Sequence, residues 1–121
     1  MVQFSDFGID PSLIEALRND GIVEPFEVQC EAIPYAMLGR DICCRAPTGS
    51  GKTLAFALPL ISRTAEAKPK RPTSLILTPT RELAEQIRNV LHPLATSAGM
   101  GVLSVYGGPP YKGQLRKVGR G

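Results

Sequence analysis

Residues 46–53 read APTGSGKT, a combination that could hold the phosphates of a nucleotide. Gly49 and Gly51 have no Cβ, so backbone N–H groups can converge on phosphate oxygens. Lys52 supplies a positive charge for the β- and γ-phosphates, and Thr53 offers a hydroxyl to Mg²⁺. The run lies between a predicted strand and a predicted helix, whose N-terminal N–H groups would face the same anion.

The general phosphate-loop pattern opens with glycine, and Ala46 stands in that place. Alanine is acceptable there if its φ is negative. The predicted phosphate site therefore comprises Ala46, Pro47, Thr48, Gly49, Ser50, Gly51, Lys52 and Thr53. Lys52 is the candidate catalytic charge and Thr53 the candidate Mg²⁺ ligand. The alternative is a glycine-rich turn that joins a strand to a helix and holds no ligand.

Strand and helix patterns alternate around this loop. Predicted strands cover Ile42–Arg45, Ser74–Thr78 and Gly101–Tyr106, and predicted helices cover Lys52–Arg63 and Arg81–Ala95. Such alternation is typical of an α/β fold in which helices flank a parallel sheet with right-handed crossovers. We assign this partial domain to residues 41–121.

A helical segment is predicted before it, in residues 1–40. Asp10 can cap a first helix, Pro11 suits its first position, and Gly21 ends it. A second helix should run from about Glu27 to Leu38. Pro34 would disturb this second helix, and Gly39 would end it.

The composition excludes several classes of protein. The chain has 121 residues, 43% of them apolar, which fits one small globular domain or a piece of a larger one. Its longest apolar stretch, 54–61, is far shorter than the roughly 20 residues of a membrane span. We also see no secretory signal. The three cysteines form no CxxC pair, which favours reduced thiols in the cytoplasm over disulfides or zinc.

Charge is unevenly distributed along the chain. Residues 1–41 carry two basic and eight acidic side chains, a net charge of −6, whereas residues 42–121 carry twelve basic and three acidic ones, a net charge of +9. A basic segment with few acids favours a polyanionic partner such as a nucleotide or a nucleic acid. The alternative is that these basic residues only keep the surface soluble.

Upstream of the loop, residues 21–29 read GIVEPFEVQ, with Phe4 seventeen residues before Gly21. Together with the loop, this pattern resembles the start of a DEAD-box RNA helicase. In that family a glutamine at the end of such a motif, the Q motif, bonds the adenine edge, and an upstream aromatic stacks on the ring. The resemblance implies adenine contacts by Phe4, Pro25 and Gln29, with ATP and Mg²⁺ as cofactors. A carboxamide suits adenine because it both donates and accepts.

Each of these residues also has a purely structural interpretation. Gln29 could cap its helix in a reciprocal box with the residue after the proline. The family usually has Ser or Thr there, but this chain has Phe26, whose side chain cannot accept a hydrogen bond. Phe4 could simply be a core aromatic.

The resemblance continues on the predicted RNA side. Residues 79–84 read PTRELA and match the family's next motif, and a glycine pair follows the third predicted strand. Helix N–H groups and Arg81 can hold an RNA phosphate without reading sequence. The implied RNA contacts are Pro79, Thr80, Arg81, Glu82, Gly107 and Gly108. A well-capped helix and a flexible glycine turn are the alternatives.

The acidic motif that names the family is not found. There is no Asp after Asp41 and no acid after Glu85, although phosphate-loop enzymes also need an acid for Mg²⁺ and water. The resemblance therefore implies a fragment of an ATP-dependent RNA helicase whose second RecA-like domain lies elsewhere in the parent protein. We expect the fragment to bind nucleotide and RNA weakly without turnover.

Two other functions remain open. One is a naturally truncated protein that binds nucleotide or RNA without catalysis, which differs from a fragment only in whether the reading frame continues past Gly121. The other is a different phosphate-loop NTPase, such as a DNA helicase or a transporter ATPase. Phe4, Gln29 and the PTRELA run argue against this second alternative.

Overall fold

The secondary-structure elements of the described residues are helices. The computed structural model describes residues 2–64 and 71–106, and there it has one 3₁₀ turn and four α-helices. The turn is Phe4–Phe7, and the helices are α1 (Pro11–Asn19), α2 (Glu27–Met37), α3 (Lys52–Arg63) and α4 (Arg81–Ser97). The sequence predicts all four helices, α3 with the same bounds. Within those ranges no helix has both the length and the apolar character that a membrane crossing needs.

The chain divides into two compact units, Met1–Arg63 and Thr64–Gly121. The first contains the 3₁₀ turn and α1 to α3, and the second contains α4. The division of the sequence into 1–40 and 41–121 stays a prediction.

The first unit has an aliphatic core in which α2 packs against α3 and the 3₁₀ turn contacts both α1 and α2. Amphipathic spacing explains the burial, because apolar residues three and four apart share one helix face. The buried side chains are Phe4, Ile9, Leu13, Leu17, Val28, Ala32, Ile33, Leu54, Ala55, Ala57, Leu58 and Ile61. This core fixes α2 and α3 relative to each other, and both helices begin next to the predicted phosphate loop.

The start of α1 confirms the predicted cap. The Asp10 carboxylate accepts hydrogen bonds from the Ser12 N–H at 2.9 Å and the Ser12 hydroxyl at 2.8 Å, and Pro11 occupies the first helical position. The bond from the Ser12 N–H, followed by that from its hydroxyl, holds the pKa of Asp10 below its ordinary value. The cap is therefore strongest when the carboxylate is ionised.

The end of α2 is tied to the end of α3. The Arg63 guanidinium donates to the Met37 carbonyl at 2.9 Å, which satisfies one of the carbonyls that a helix end leaves free. Gly39 has a φ of 83°, and a Cβ there would lie 2.8 Å from Arg63 Nη2. The predicted glycine stop is thus confirmed, and it also makes room for Arg63. Pro34 lies inside α2 without ending it.

In the second unit, α4 begins at a threonine cap. The Thr80 hydroxyl oxygen accepts from the Leu83 N–H at 3.1 Å, and the Thr78 hydroxyl donates to the Thr80 carbonyl at 3.0 Å. The apolar side chains that share one face of α4 are only partly buried. The buried ones are Ile87, Leu91 and Leu94, whereas Leu83 and Val90 are each 37% exposed.

The predicted parallel sheet is not confirmed. Within 2–64 and 71–106, the segments 42–45, 74–78 and 101–106 have no strand assignment. Residues 42–45 are exposed, and Leu77 is 84% exposed. A strand forms only when its backbone N–H and C=O groups pair with a neighbouring strand, and neighbouring strands of a parallel sheet are distant in sequence. A local apolar run is therefore insufficient to form one.

We expect Asp10→Ala to lower the melting temperature by a few degrees at neutral pH, because the first turn of α1 loses its acceptor. The pKa of Asp10 is depressed in the folded state, so its contribution is complete above the ordinary pKa of 3.8 and is lost as pH falls through the folded value. Thermal unfolding from pH 6 to pH 3 should show the wild type and Asp10→Ala converging.

Asp10→Asn is the matched control, because asparagine caps helices as well as aspartate but does not titrate. It should keep the melting temperature at neutral pH. A difference between wild type and Asp10→Ala that stays constant with pH would contradict the role of the ionised cap.

Candidate nucleotide site and nucleic-acid interface

The loop at 46–53 adopts a backbone that requires glycine at two positions. Gly49 has a φ of 82° and Gly51 a φ of 88°, both in the left-handed region that other residues rarely adopt. The Ser50 N–H donates to the Pro47 carbonyl at 3.2 Å, which closes a turn, and α3 begins at Lys52. The first N–H groups of a helix have no intrahelical acceptor, so they are available to an anion at this position.

Polar side chains of the loop fit a phosphate ligand. The Ser50 hydroxyl is buried and has no hydrogen-bond partner within the described part of the chain. A buried hydroxyl without a partner is costly, and a phosphate oxygen could satisfy it. Lys52 is exposed at the start of α3, and Thr53 beside it is half-buried. The donor set therefore suits a phosphate group, with a hydroxyl next to it for a hard cation.

The Gly51 carbonyl is where the loop meets α2. It accepts the Ala55 N–H at 3.2 Å and Gln29 Nε2 at 3.1 Å. A Cβ at Gly51 would lie 2.5 Å from Gln29 Nε2 and 2.8 Å from Phe26 Cδ2. Glycine is thus needed at position 51 because the Gln29 and Phe26 side chains approach it closely, as well as for its φ. The hydrogen bond from Gln29 fixes the loop against the start of α2.

The Gln29 side chain is only 2% exposed and is bonded at both ends of its carboxamide. Its Oε1 accepts the Phe26 N–H at 2.8 Å, while its Nε2 donates to Gly51. The first bond is the glutamine half of a capping box, and Phe26 supplies no side-chain acceptor for the other half. These two bonds leave one N–H and one oxygen lone pair of the carboxamide.

The other two predicted adenine contacts are Phe4 and Pro25. Phe4 is 2% exposed and packs edge-on against Phe7, with ring centroids 6.3 Å apart and planes at 79°. This arrangement fits the core interpretation of Phe4, and its stacking on adenine stays a prediction. Pro25 is half-buried just before Phe26.

An open cleft of about 690 Å³ adjoins the loop in the first unit. Its walls are the start of α2 and the segment that leads into the loop. The lining residues are Phe26, Glu27, Val28, Glu31, Ala32, Ile42, Cys43, Cys44, Arg45, Ala46, Pro47 and Ser50. Sequence reasoning missed Phe26 as a wall of this cleft and as a neighbour of Gly51. No sequence signal identifies it, because it is a departure from the family pattern.

The predicted RNA contacts that the structure describes lie at the start of α4. Pro79 and Thr80 are exposed and precede the helix, Arg81 is its first residue, and Glu82 is the acid of its first turn. The Arg81 guanidinium carbon lies 5.8 Å from the centre of the Tyr106 ring. Sequence reasoning missed Tyr106, although its place directly before a glycine pair was a signal. Gly107 and Gly108 lie outside the described residues.

Solved structures of helicases resemble this chain closely. The RNA helicase Prp28 from Chaetomium thermophilum, solved with ADP bound, is 37% identical with a TM-score of 0.89, covering 99% of this chain and 30% of that one. A DEAD box protein from Methanococcus jannaschii is 31% identical with a TM-score of 0.83, covering 99% of this chain and 33% of that one. These neighbours are RecA-like helicase domains, which supports the α/β class predicted for the chain.

Relatives found by sequence comparison are also RNA helicases. The ATP-dependent RNA helicase DeaD of Buchnera aphidicola is 42% identical over 98% of this chain and 20% of its own length. The DeaD helicase of Escherichia coli K12 is 40% identical over 98% of this chain and 19% of its own length. The chain thus spans about a fifth of these relatives. Residues 26–121 match the sequence profile of the DEAD/DEAH box helicases, and the chain belongs to that family.

Proposed function

We propose that this chain forms the ATP-binding part of an ATP-dependent RNA helicase that unwinds short duplexes locally. The observation that carries the proposal is the hydrogen bond from Gln29 Nε2 to the Gly51 carbonyl. It brings the side chain suited to an adenine edge against the loop suited to phosphates. A single nucleotide can therefore engage both at once.

The phosphate end of this nucleotide would be held by residues 46–53. Backbone N–H groups at Gly49, Gly51 and the start of α3 would bond phosphate oxygens, and the Ser50 hydroxyl would gain an acceptor. Lys52 would place its charge on the outer phosphates, and Thr53 would offer its hydroxyl to Mg²⁺. Bound ATP supplies the phosphoanhydride bond, and Mg²⁺ neutralises its phosphate charge.

The adenine end would be read by the free N–H and lone pair of Gln29. Because Gln29 is buried and bonded to Phe26 and Gly51, its carboxamide is held in one orientation. A fixed donor–acceptor pair favours adenine, whose N6 amino group donates and whose N7 accepts, over guanine, which presents two acceptors, O6 and N7, on the same edge. Pro25 and Phe4 would add apolar contact.

RNA would bind at the start of α4 through its backbone phosphates. Arg81 and the first N–H groups of the helix supply positive charge there, which positions a strand without reading bases. Residues 107–108 would contribute backbone N–H groups. We further propose that a second RecA-like domain of the parent protein completes the enzyme.

A non-catalytic nucleotide- or RNA-binding protein is the second candidate. It is the alternative that the sequence left open, and a phosphate-loop site without a carboxylate near the metal would bind nucleotide without hydrolysing it. Both candidates share the nucleotide site, so they differ in turnover and not in binding.

The first prediction concerns base selectivity. Calorimetric titration should show ADP binding at least about tenfold more tightly than GDP, which corresponds to about 1.4 kcal/mol. Gln29→Ala should reduce this preference, because the fixed donor–acceptor pair is lost. Equal affinities of the wild type for the two nucleotides would rule out the adenine role.

The second prediction concerns the approach of α2 to the loop. Gly51→Ala should lower the free energy of unfolding by more than Gly49→Ala does. Both substitutions strain a positive φ, at about 1–2 kcal/mol each, but only the Gly51 Cβ meets Gln29 and Phe26.

Gly49→Ala is the matched control because a Cβ there meets nothing within 4 Å. Denaturant unfolding measures both variants. The Gly51→Ala protein should also lose base selectivity, since Gln29 must move away. Equal destabilisation of the two variants would show that the close approach has no energetic consequence.

The third prediction concerns turnover. We expect the 121-residue chain to release no phosphate from ATP when RNA is added, because the acidic motif that would hold Mg²⁺ and polarise water in this family is not found in its sequence. A phosphate-release assay with and without RNA measures this. Turnover that Lys52→Ala abolishes would contradict the prediction.

A further inference from the structure

Tyr106 lies against Arg81 in the second unit. The guanidinium carbon is 5.8 Å from the ring centre, within the roughly 6 Å over which a cation is attracted to an aromatic face. Arg81 is the first residue of α4, and Tyr106 is 25 positions later in the sequence, directly before Gly107. The contact therefore joins two segments that the sequence predicts to bind RNA.

Glu85 is another residue of α4 that interacts with Tyr106. It lies one helical turn after Arg81, and hydrogen bonding to its carboxylate is the main cause that raises the pKa of the Tyr106 phenol. Desolvation adds to this rise of the pKa above its ordinary value. The phenol thus stays neutral, and its hydroxyl keeps its donor role. Arg81, Tyr106 and Glu85 form a cluster, which we call the α4 triad.

Arg81 is not placed where it stabilises its helix. A cation at the first helical position faces the positive end of the helix dipole, which disfavours it. A long arginine side chain also loses rotamer freedom when it becomes fixed. Contact with the Tyr106 ring offsets part of both costs before any ligand arrives.

The geometry of this contact leaves the arginine able to bind. An aromatic ring attracts the face of a guanidinium, whereas phosphate oxygens bond its N–H edges. A guanidinium that met the ring with its face would therefore keep its fork of N–H donors available for a phosphate.

We propose that Tyr106, anchored by Glu85, is a positioning residue that orders the Arg81 guanidinium for a phosphodiester of single-stranded RNA. This inference rests on the proposed RNA role of Arg81. Neither Tyr106 nor Glu85 is among the RNA contacts that the family resemblance implies.

A double-mutant cycle tests the inference. Fluorescence anisotropy with a labelled single-stranded decanucleotide RNA compares wild type, Arg81→Ala, Tyr106→Leu and the double variant. We expect about a tenfold loss of affinity for Arg81→Ala and a smaller loss, about threefold to fivefold, for Tyr106→Leu. The double variant should bind no more weakly than Arg81→Ala, because Tyr106 acts through the arginine.

Salt dependence separates positioning from a merely structural role. Losing one phosphate contact reduces the slope of log affinity against log salt by about 0.7 for a single strand. Tyr106→Leu should shift the slope in the same direction as Arg81→Ala. Val105→Ala is the control from the same segment, since Val105 is 62% exposed and outside the triad, and its slope should match the wild type.

Each outcome has a distinct meaning. The inference is overturned if Tyr106→Leu leaves the RNA affinity unchanged while Arg81→Ala lowers it. It is also overturned if Tyr106→Leu lowers the RNA affinity of the Arg81→Ala variant as much as it lowers that of the wild type. Equal binding by wild type and Arg81→Ala would instead overturn the proposed RNA role, and the inference with it. If circular dichroism shows that Tyr106→Leu does not fold, Tyr106→Phe replaces it in the double-mutant cycle. We then expect about a twofold loss of RNA affinity, because this substitution removes only the interaction with Glu85.

Discussion

The hydrogen bond between Gln29 Nε2 and the Gly51 carbonyl is the constraint on which the nucleotide site depends. The same carbonyl also accepts the Ala55 N–H, so the first turns of α2 and α3 share one acceptor. A buried carboxamide is tolerated only when its polar atoms are paired, and both ends of Gln29 are. The Gln29 side chain, which we propose to select the base, is therefore coupled to the loop at residues 46–53 through this hydrogen bond.

The features that the sequence predicts correctly are helices whose ends are set by residues close to them in the chain. The Asp10 cap, the Thr80 cap and the Gly39 stop act within a few residues of the helix ends that they fix, so the pattern alone located α1 to α4. The predicted strands depend on partners far along the chain, and no local pattern supplies a partner. This is why the helices were found correctly while the apolar segments at 74–78 and 101–106 lie without strand pairing in the structure described here.

The candidate site also has features that the sequence predicts and features that it does not. The glycines at 49 and 51 were predictable because a phosphate loop needs their backbone freedom, and both have positive φ. For Gln29 the sequence left capping and adenine recognition as alternatives; the structure contains the cap bond, and adenine recognition stays a prediction. The Arg81–Tyr106 contact could not be predicted, because it joins residues 25 apart that share no periodic pattern.

The loop keeps its backbone geometry without a strand assigned immediately before it. Residues 42–45 are exposed, yet Gly49 and Gly51 adopt the required φ and α3 begins at Lys52 as predicted. In the first unit, the elements that hold the loop are therefore helical: α3 continues it, and α2 contacts it through Gln29 and Phe26. Because α2 and α3 pack on each other through an aliphatic core, the shape of the loop at residues 46–53 follows from helix packing and from one buried carboxamide.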